Sequence, residues 1–146
     1  MRPYISPSRT SSELARFLGI TTLSEDFNFS GLSNSTRNLV NGDIFIALPG
    51  AKVHGATYAP EAKKLGAVAV ITDEEGMNLI STDLPVIVVG NPRFILGDLA
   101  SWFYNAPFRA LQCFGITGTN GKTTTASLLY QFWQMNKRVA GMIGTV

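Results

Sequence analysis

The sequence is poor in the residues that build metal centres and disulfide frameworks: among 146 positions it has one cysteine and one histidine. A single Cys113 excludes an internal disulfide and fits a reducing compartment. Its apolar neighbours Leu111 and Phe114 read it as a buried strand residue, since nothing nearby would lower a thiol pKa. Charge is scarce too, at 15%, with 12 Lys and Arg set against 10 Asp and Glu. The basic residues are scattered, and the adjacent pairs Lys63-Lys64 and Lys137-Arg138 read as solvated helix ends. No basic face is available for a phosphate backbone, so nucleic acid is not expected as a partner. No apolar run approaches the ~20 residues of a membrane helix, and the N-terminus lacks the apolar core of a secretory signal. The expectation is a soluble, cytoplasmic chain without membrane insertion. What is present, 45% hydrophobic residues of which many are aromatic or β-branched, suits a folded core and not a disordered segment.

Elements follow from local signals. Thr10-Ser11-Ser12-Glu13 has the form of a capping box, and Leu14, Ala15, Phe17 and Leu18 follow it before Gly19, which predicts a short helix. A loop-rich stretch leads to the turn signal Asn41-Gly42 and an apolar run at 44–48 closed by Pro49-Gly50, a buried strand. Residues 58–65 read as a helix ended by Gly66, with strands at 68–72 and 86–89. Pro92 opens a helix in which Phe94, Ile95, Leu99, Trp102 and Phe103 are expected to pack as core. Strands alternating with helices over 40–105 predict an α/β fold with a largely parallel sheet. Asn105-Ala106-Pro107 then marks a boundary. Beyond it a strand at 111–116, a glycine loop, a helix at 123–135 and a strand at 139–143 form one βαβ unit. A lone βαβ unit cannot cover both faces of a parallel sheet, so the chain is expected to be the front part of a longer protein.

The chemistry is concentrated in Gly115-Ile116-Thr117-Gly118-Thr119-Asn120-Gly121-Lys122-Thr123-Thr124. A strand, a glycine loop and then Lys-Thr at a helix start are the parts of a phosphate cradle. Glycines let backbone N–H groups turn inward, the helix N-terminus adds positive potential, Lys122 can reach terminal phosphates, and Thr123 can hold Mg²⁺. The strict phosphate-loop pattern needs glycine at 116, where this chain has Ile116, and the spacing also differs from the dinucleotide-binding fingerprint. A tight turn without a ligand is the plainer alternative. Against it stands Lys122, which at a helix start is opposed by the macrodipole and calls for an anionic partner.

The run 117–124 resembles the ATP loop of the Mur ligases, the ATP-dependent amide-forming enzymes of peptidoglycan precursor synthesis. Folylpolyglutamate synthases share the general loop but usually differ after the lysine. Ser35-Thr36-Arg37, the segment from Asn41 to Gly50, His54-Gly55 and Ala62 through Ala67 resemble the UDP-binding domain of those members that add the third peptide residue. The resemblance implies a Rossmann-like UDP-substrate-binding domain at 1–107 and the start of the central ATP-binding domain at 108–146. It implies that ATP phosphorylates the D-glutamate carboxylate of UDP-N-acetylmuramoyl-L-alanyl-D-glutamate and that a diamino acid, L-lysine or meso-diaminopimelate, attacks the acyl phosphate. The ATP site implied is Gly118, Thr119, Asn120, Gly121, Lys122, Thr123 and Thr124, with Lys122 catalytic and Thr123 on Mg²⁺.

The UDP end of the substrate is implied to meet Asn34, Thr36, Ala51, Lys52 and Val53. The family's triplet is commonly Asp-Ser-Arg; Thr36 keeps the hydroxyl, whereas Ser35 loses a carboxylate. Asp43 is expected to support its turn, and His54 to be structural. Asn91-Pro92-Arg93 looks like part of a diaminopimelate-recognition signature of the family's C-terminal domain, but Pro92 is assigned to helix initiation. The chain by itself is expected to be inactive. Three alternatives stay open: a UDP-substrate-binding module without catalysis, the related ligase that adds D-alanyl-D-alanine, and an unrelated phosphate-loop NTPase or kinase.

Overall fold

The computed structural model describes residues 6–21, 23 and 25–144. The chain forms two compact units, Met1–Pro107 and Phe108–Val146.

The first unit is built on a four-stranded, wholly parallel sheet of β3 (Gly31–Ser33), β4 (Asp43–Ile46), β5 (Ala69–Thr72) and β6 (Val86–Val88), in that spatial order. Every residue of β4 and β5 is buried, which is why these strands read in the sequence as apolar runs and not as alternating patterns. Register places Ile44 beside Ala69, Phe45 beside Val70 and Ile46 beside Ile71. Alternation then sends the side chains to two faces. On one, Ile44, Ile46, Ala69, Ile71 and Ile87 pack with Leu14 of α1 (Ser11–Leu18) and with Leu99 and Phe103 of α4 (Pro92–Phe103). On the other, Phe45, Ala47 and Val70 meet Ala59 and Ala62 of α2 (Ala59–Lys64), whose small side chains let the helix lie close to the sheet. The result is a three-layer α/β sandwich.

A two-stranded antiparallel ribbon, β1 (Arg9–Thr10) with β2 (Asn28–Phe29), flanks α1. The capping box is formed in both directions: the Thr10 hydroxyl accepts the Glu13 N–H, and the Glu13 carboxylate accepts the Thr10 N–H at 2.8 Å. Gly19 ends α1 at φ 71, a left-handed cap that favours glycine. The Thr10 N–H bond holds the Glu13 carboxyl below its usual range, against some desolvation and with help from the Thr10 hydroxyl and Arg9. A lowered folded-state pKa stabilises the fold above the unfolded value and is lost as pH falls through the folded value, so this cap weakens in acid. Thr10→Ala is expected to lower stability by about 1 kcal/mol in urea denaturation at neutral pH, with a smaller difference at low pH.

Three expectations are corrected. The apolar runs 111–116 and 139–143 form no strand: neither pairs in a ladder, and a strand exists only through its partner. From the last residue of the first unit onward, the described residues form a one-turn 3-10 helix, Pro107–Ala110, and α5 (Lys122–Met135), not a βαβ unit. Cys113 is consequently exposed and not a buried strand residue. In α4, Phe94 is 82% exposed, whereas Leu99 and Phe103 are fully buried. At ~100° per residue, nine positions put Phe94 opposite Phe103 on the helix. The start of α4 follows expectation: Pro92 is its first residue, and the Asn91 side chain accepts the Arg93 and Phe94 N–H groups.

Candidate functional site

In a parallel sheet, ligands bind beyond the carboxyl ends of the strands, where loops diverge. Here the segments leaving β3 and β4 face each other across a cleft of about 280 Å³. Asn34 and Thr36 from one segment and Val53 from the other line it. The remaining expected residues, Ala51 and Lys52, are exposed on the same loop but outside the lining. A larger cleft, about 390 Å³, lies beside α1 at Ser11, Arg16 and Asp26, but contains no residue from the carboxyl end of a sheet strand.

The two walls are shaped locally. Ser33 donates its hydroxyl to the Ser35 carbonyl at 2.8 Å and accepts the Ser35 N–H, a hydroxyl-closed turn that starts the 3-10 helix Thr36–Asn38. The Thr36 hydroxyl and the Arg37 guanidinium have no hydrogen-bond or ionic partner within the protein among the described residues, so both are available to a ligand. Opposite, Gly55 donates its N–H to the Leu48 carbonyl at 2.9 Å, closing the 49–54 loop at its base. A Cβ at Gly55 would lie 2.9 Å from the Leu48 backbone, so the close approach needs glycine. Arg93 donates to the Pro49 carbonyl at 2.7 Å and fixes the other end.

Arg37, Leu48 and Tyr58 also line the cleft, and residue-type reasoning did not single them out. Arg37 was the one within reach, since it completes the Ser35-Thr36-Arg37 triplet. Asp43 is fully buried and accepts the Val40 N–H at 2.9 Å, while donating its own N–H to the Val40 carbonyl, a turn-supporting role. His54 is buried and caps the 3-10 turn Gly55–Tyr58, as expected of a structural residue.

The second unit carries the glycine loop. Gly118 and Gly121 take φ 150 and 77, both in the range that favours glycine. Gly121 is the N-cap of α5 and has no side chain with which to cap it, so the first-turn N–H groups, which have no intrahelical acceptor in any helix, also lack a side-chain cap. Lys122 folds its ammonium back across the loop, donating to the Gly118 carbonyl and, at 3.2 Å, to the Thr119 carbonyl. Free N–H groups at a helix start beside one lysine ammonium make an anion-binding constellation. Gly118 through Thr124 are all exposed. Among the described residues no group of His, Cys, Asp and Glu could hold a metal ion by itself. No described helix is long and apolar enough to cross a membrane.

Residues 28–104 match the family description "Mur ligase family, catalytic domain", and residues 116–146 match "Mur ligase middle domain". The chain belongs to the Mur ligase family. A UDP-N-acetylmuramoyl-L-alanyl-D-glutamate--2,6-diaminopimelate ligase from Streptomyces avermitilis is 43% identical over 99% of the chain, which spans 29% of that relative. A UDP-N-acetylmuramyl-tripeptide synthetase from Leifsonia xyli is 34% identical over 99% of the chain, again 29% of the relative. The chain thus spans under a third of the length of these Mur ligases. Among solved structures, a MurF from Acinetobacter baumannii is similar at TM-score 0.66 and 20% identity, covering 89% of this chain and 28% of that one. The MurF ligase from Thermotoga maritima in complex with ADP is similar at TM-score 0.55 and 25% identity, covering 71% of this chain and 23% of that one.

Proposed function

We propose that the protein to which this sequence belongs is an ATP-dependent, cytoplasmic ligase that adds a diamino acid to UDP-N-acetylmuramoyl-L-alanyl-D-glutamate. The carrying observation is the pairing, on one chain, of a polar cleft beyond the carboxyl ends of β3 and β4 with a glycine loop that ends in Lys122 at a helix start. Diaminopimelate is the proposed diamino acid, because relatives named for it are 43% and 40% identical over 99% of the chain. The D-alanyl-D-alanine-adding reading is less favoured: its solved representatives share the fold but only 19–25% of the residues.

In this reading residues 1–107 bind the UDP end of the substrate. Asn34, Thr36 and Val53 line its cleft, Arg37 offers a guanidinium to a diphosphate, and Ala51 and Lys52 stand at the rim. Residues 108–146 begin the ATP-binding domain. The glycine loop fits a triphosphate: its N–H groups are uncapped, and Lys122 is held by loop carbonyls from which an anion can draw it. Gly118, Thr119, Asn120 and Gly121 would cradle the phosphates, Lys122 would stabilise the terminal ones, Thr123 would take Mg²⁺, and Thr124 would support it. ATP supplies the phosphoryl group that activates the D-glutamate side-chain carboxylate, and the amine of the diamino acid then displaces phosphate to leave an amide. The protein's part in phosphoryl transfer is positioning and charge stabilisation. The 146-residue chain alone is proposed to form no tripeptide.

Calorimetric titration tests the cleft. The chain is expected to bind UDP-N-acetylmuramoyl-L-alanyl-D-glutamate with one site, and Arg37→Ala to weaken it about tenfold, the loss of one charge-assisted contact. An unchanged affinity in Arg37→Ala contradicts the placement. Binding of the UDP substrate without any binding of ATP favours the non-catalytic module.

A further inference from the structure

His54 is the single histidine of the sequence and is 8% exposed, whereas Ala51, Lys52 and Val53 before it are exposed. Both ring nitrogens are engaged. Nδ1 accepts the Ala56 N–H at 3.0 Å. An accepting nitrogen carries no proton, so the neutral ring has its hydrogen on Nε2, which donates to Asp73 Oδ1 at 3.1 Å. The same Asp73 oxygen accepts the Gly76 N–H at 2.8 Å and so caps α3 (Glu74–Met77). Gly76 makes room for the ring: a Cβ there would lie 2.5 Å from His54 Cε1. The ring therefore ties the loop leaving β4 to the segment leaving β5. His54 does not line the cleft, but its chain neighbours Val53 and Gly55 do.

We propose that His54 is a positioning residue: its neutral, Nε2-protonated ring, bound to Asp73, holds the 50–55 loop in the shape that receives the UDP end of the substrate. The proposal rests on the assignment of the cleft to that ligand. Alanine at 54 leaves the buried Ala56 N–H and one Asp73 bond unmade and releases the wall that Val53 and Gly55 form. Asparagine keeps an acceptor for the Ala56 N–H, because its Oδ1 occupies the place of Nδ1.

Calorimetry with UDP-N-acetylmuramoyl-L-alanyl-D-glutamate on the 146-residue chain is the test. His54→Ala is expected to weaken binding about tenfold, and His54→Asn, which keeps the Ala56 acceptor but does not reach Asp73, to recover only part of that loss. A His54→Ala chain that binds with wild-type affinity overturns the proposal. The nitrogen-15 spectrum of the single histidine needs no variant and decides even where His54→Ala fails to fold. The expected ring is protonated on Nε2 with an unprotonated Nδ1; the opposite tautomer overturns the proposal. A wild-type chain that does not bind the ligand overturns the cleft assignment, and the positioning role falls with it.

Discussion

Lys122→Ala is expected to weaken ATP binding by at least about a hundredfold, equivalent to about 3 kcal/mol for the loss of an ammonium contact to phosphate. The effect should be on the ligand and not on the helix. Lys122 is the first residue of α5, where the macrodipole disfavours a cation and alanine is the better helix former. Its bonds to the Gly118 and Thr119 carbonyls are exposed and contribute little to stability. Circular dichroism should therefore show an unchanged helix while calorimetry with a non-hydrolysable ATP analogue shows the loss. Retained ATP affinity in Lys122→Ala would mean that the loop is a tight turn and that its glycines serve only backbone geometry.

The second large effect falls on the fold. Phe103→Ala is expected to lower the stability of the first unit by about 3–5 kcal/mol, a large part of the 5–15 kcal/mol typical of a domain. Phe103 is fully buried, its ring stacks on Phe29 at 5.3 Å and meets Tyr104 edge-on at 4.8 Å, and it packs with Leu14, Ile44 and Leu99. Removing it empties the layer that backs β4, one of the two strands from which the cleft opens. Phe94→Ala in the same helix is the control. That ring is 82% exposed, and its loss should change stability by no more than about 0.5 kcal/mol. Urea denaturation of both variants measures the contrast, and similar losses would mean that the faces of α4 are misassigned.

That contrast also shows what the sequence made legible. The ends of α1 and the start of α4 could be read because a capping box, a proline at the first helical position and a terminal glycine act within one turn of chain. Strands β4 and β5 could be read because burial on both faces leaves unbroken apolar runs. The ribbon of β1 with β2, the short edge strand β3 and the four-residue α3 were not legible: Arg-Thr, Asn-Phe, Gly-Leu-Ser and Glu-Glu-Gly-Met contain no apolar run, and α3 is too short to show a helical face. The nine-residue spacing already puts Phe94 and Phe103 on opposite faces of α4; which of the two faces is buried depends on the sheet it packs against. Segments 111–116 and 139–143 have strand composition, but composition supplies no ladder. Of the candidate site, Thr36 and the glycine loop were visible as chemistry. The Leu48 and Tyr58 walls were not, since each is an ordinary apolar residue until the chain has folded around the cleft.

The central claim is that the cleft beyond β3 and β4 receives the UDP end of the substrate. Chemical-shift mapping on the isotope-labelled 146-residue chain, titrated with UDP-N-acetylmuramoyl-L-alanyl-D-glutamate, tests it most directly. The expected result is perturbation concentrated at Asn34, Thr36, Arg37, Val53 and Gly55, with Ser11, Arg16 and Asp26 beside the larger cleft unmoved. Saturable shifts confined to the α1 cleft, or none at either, would contradict the account.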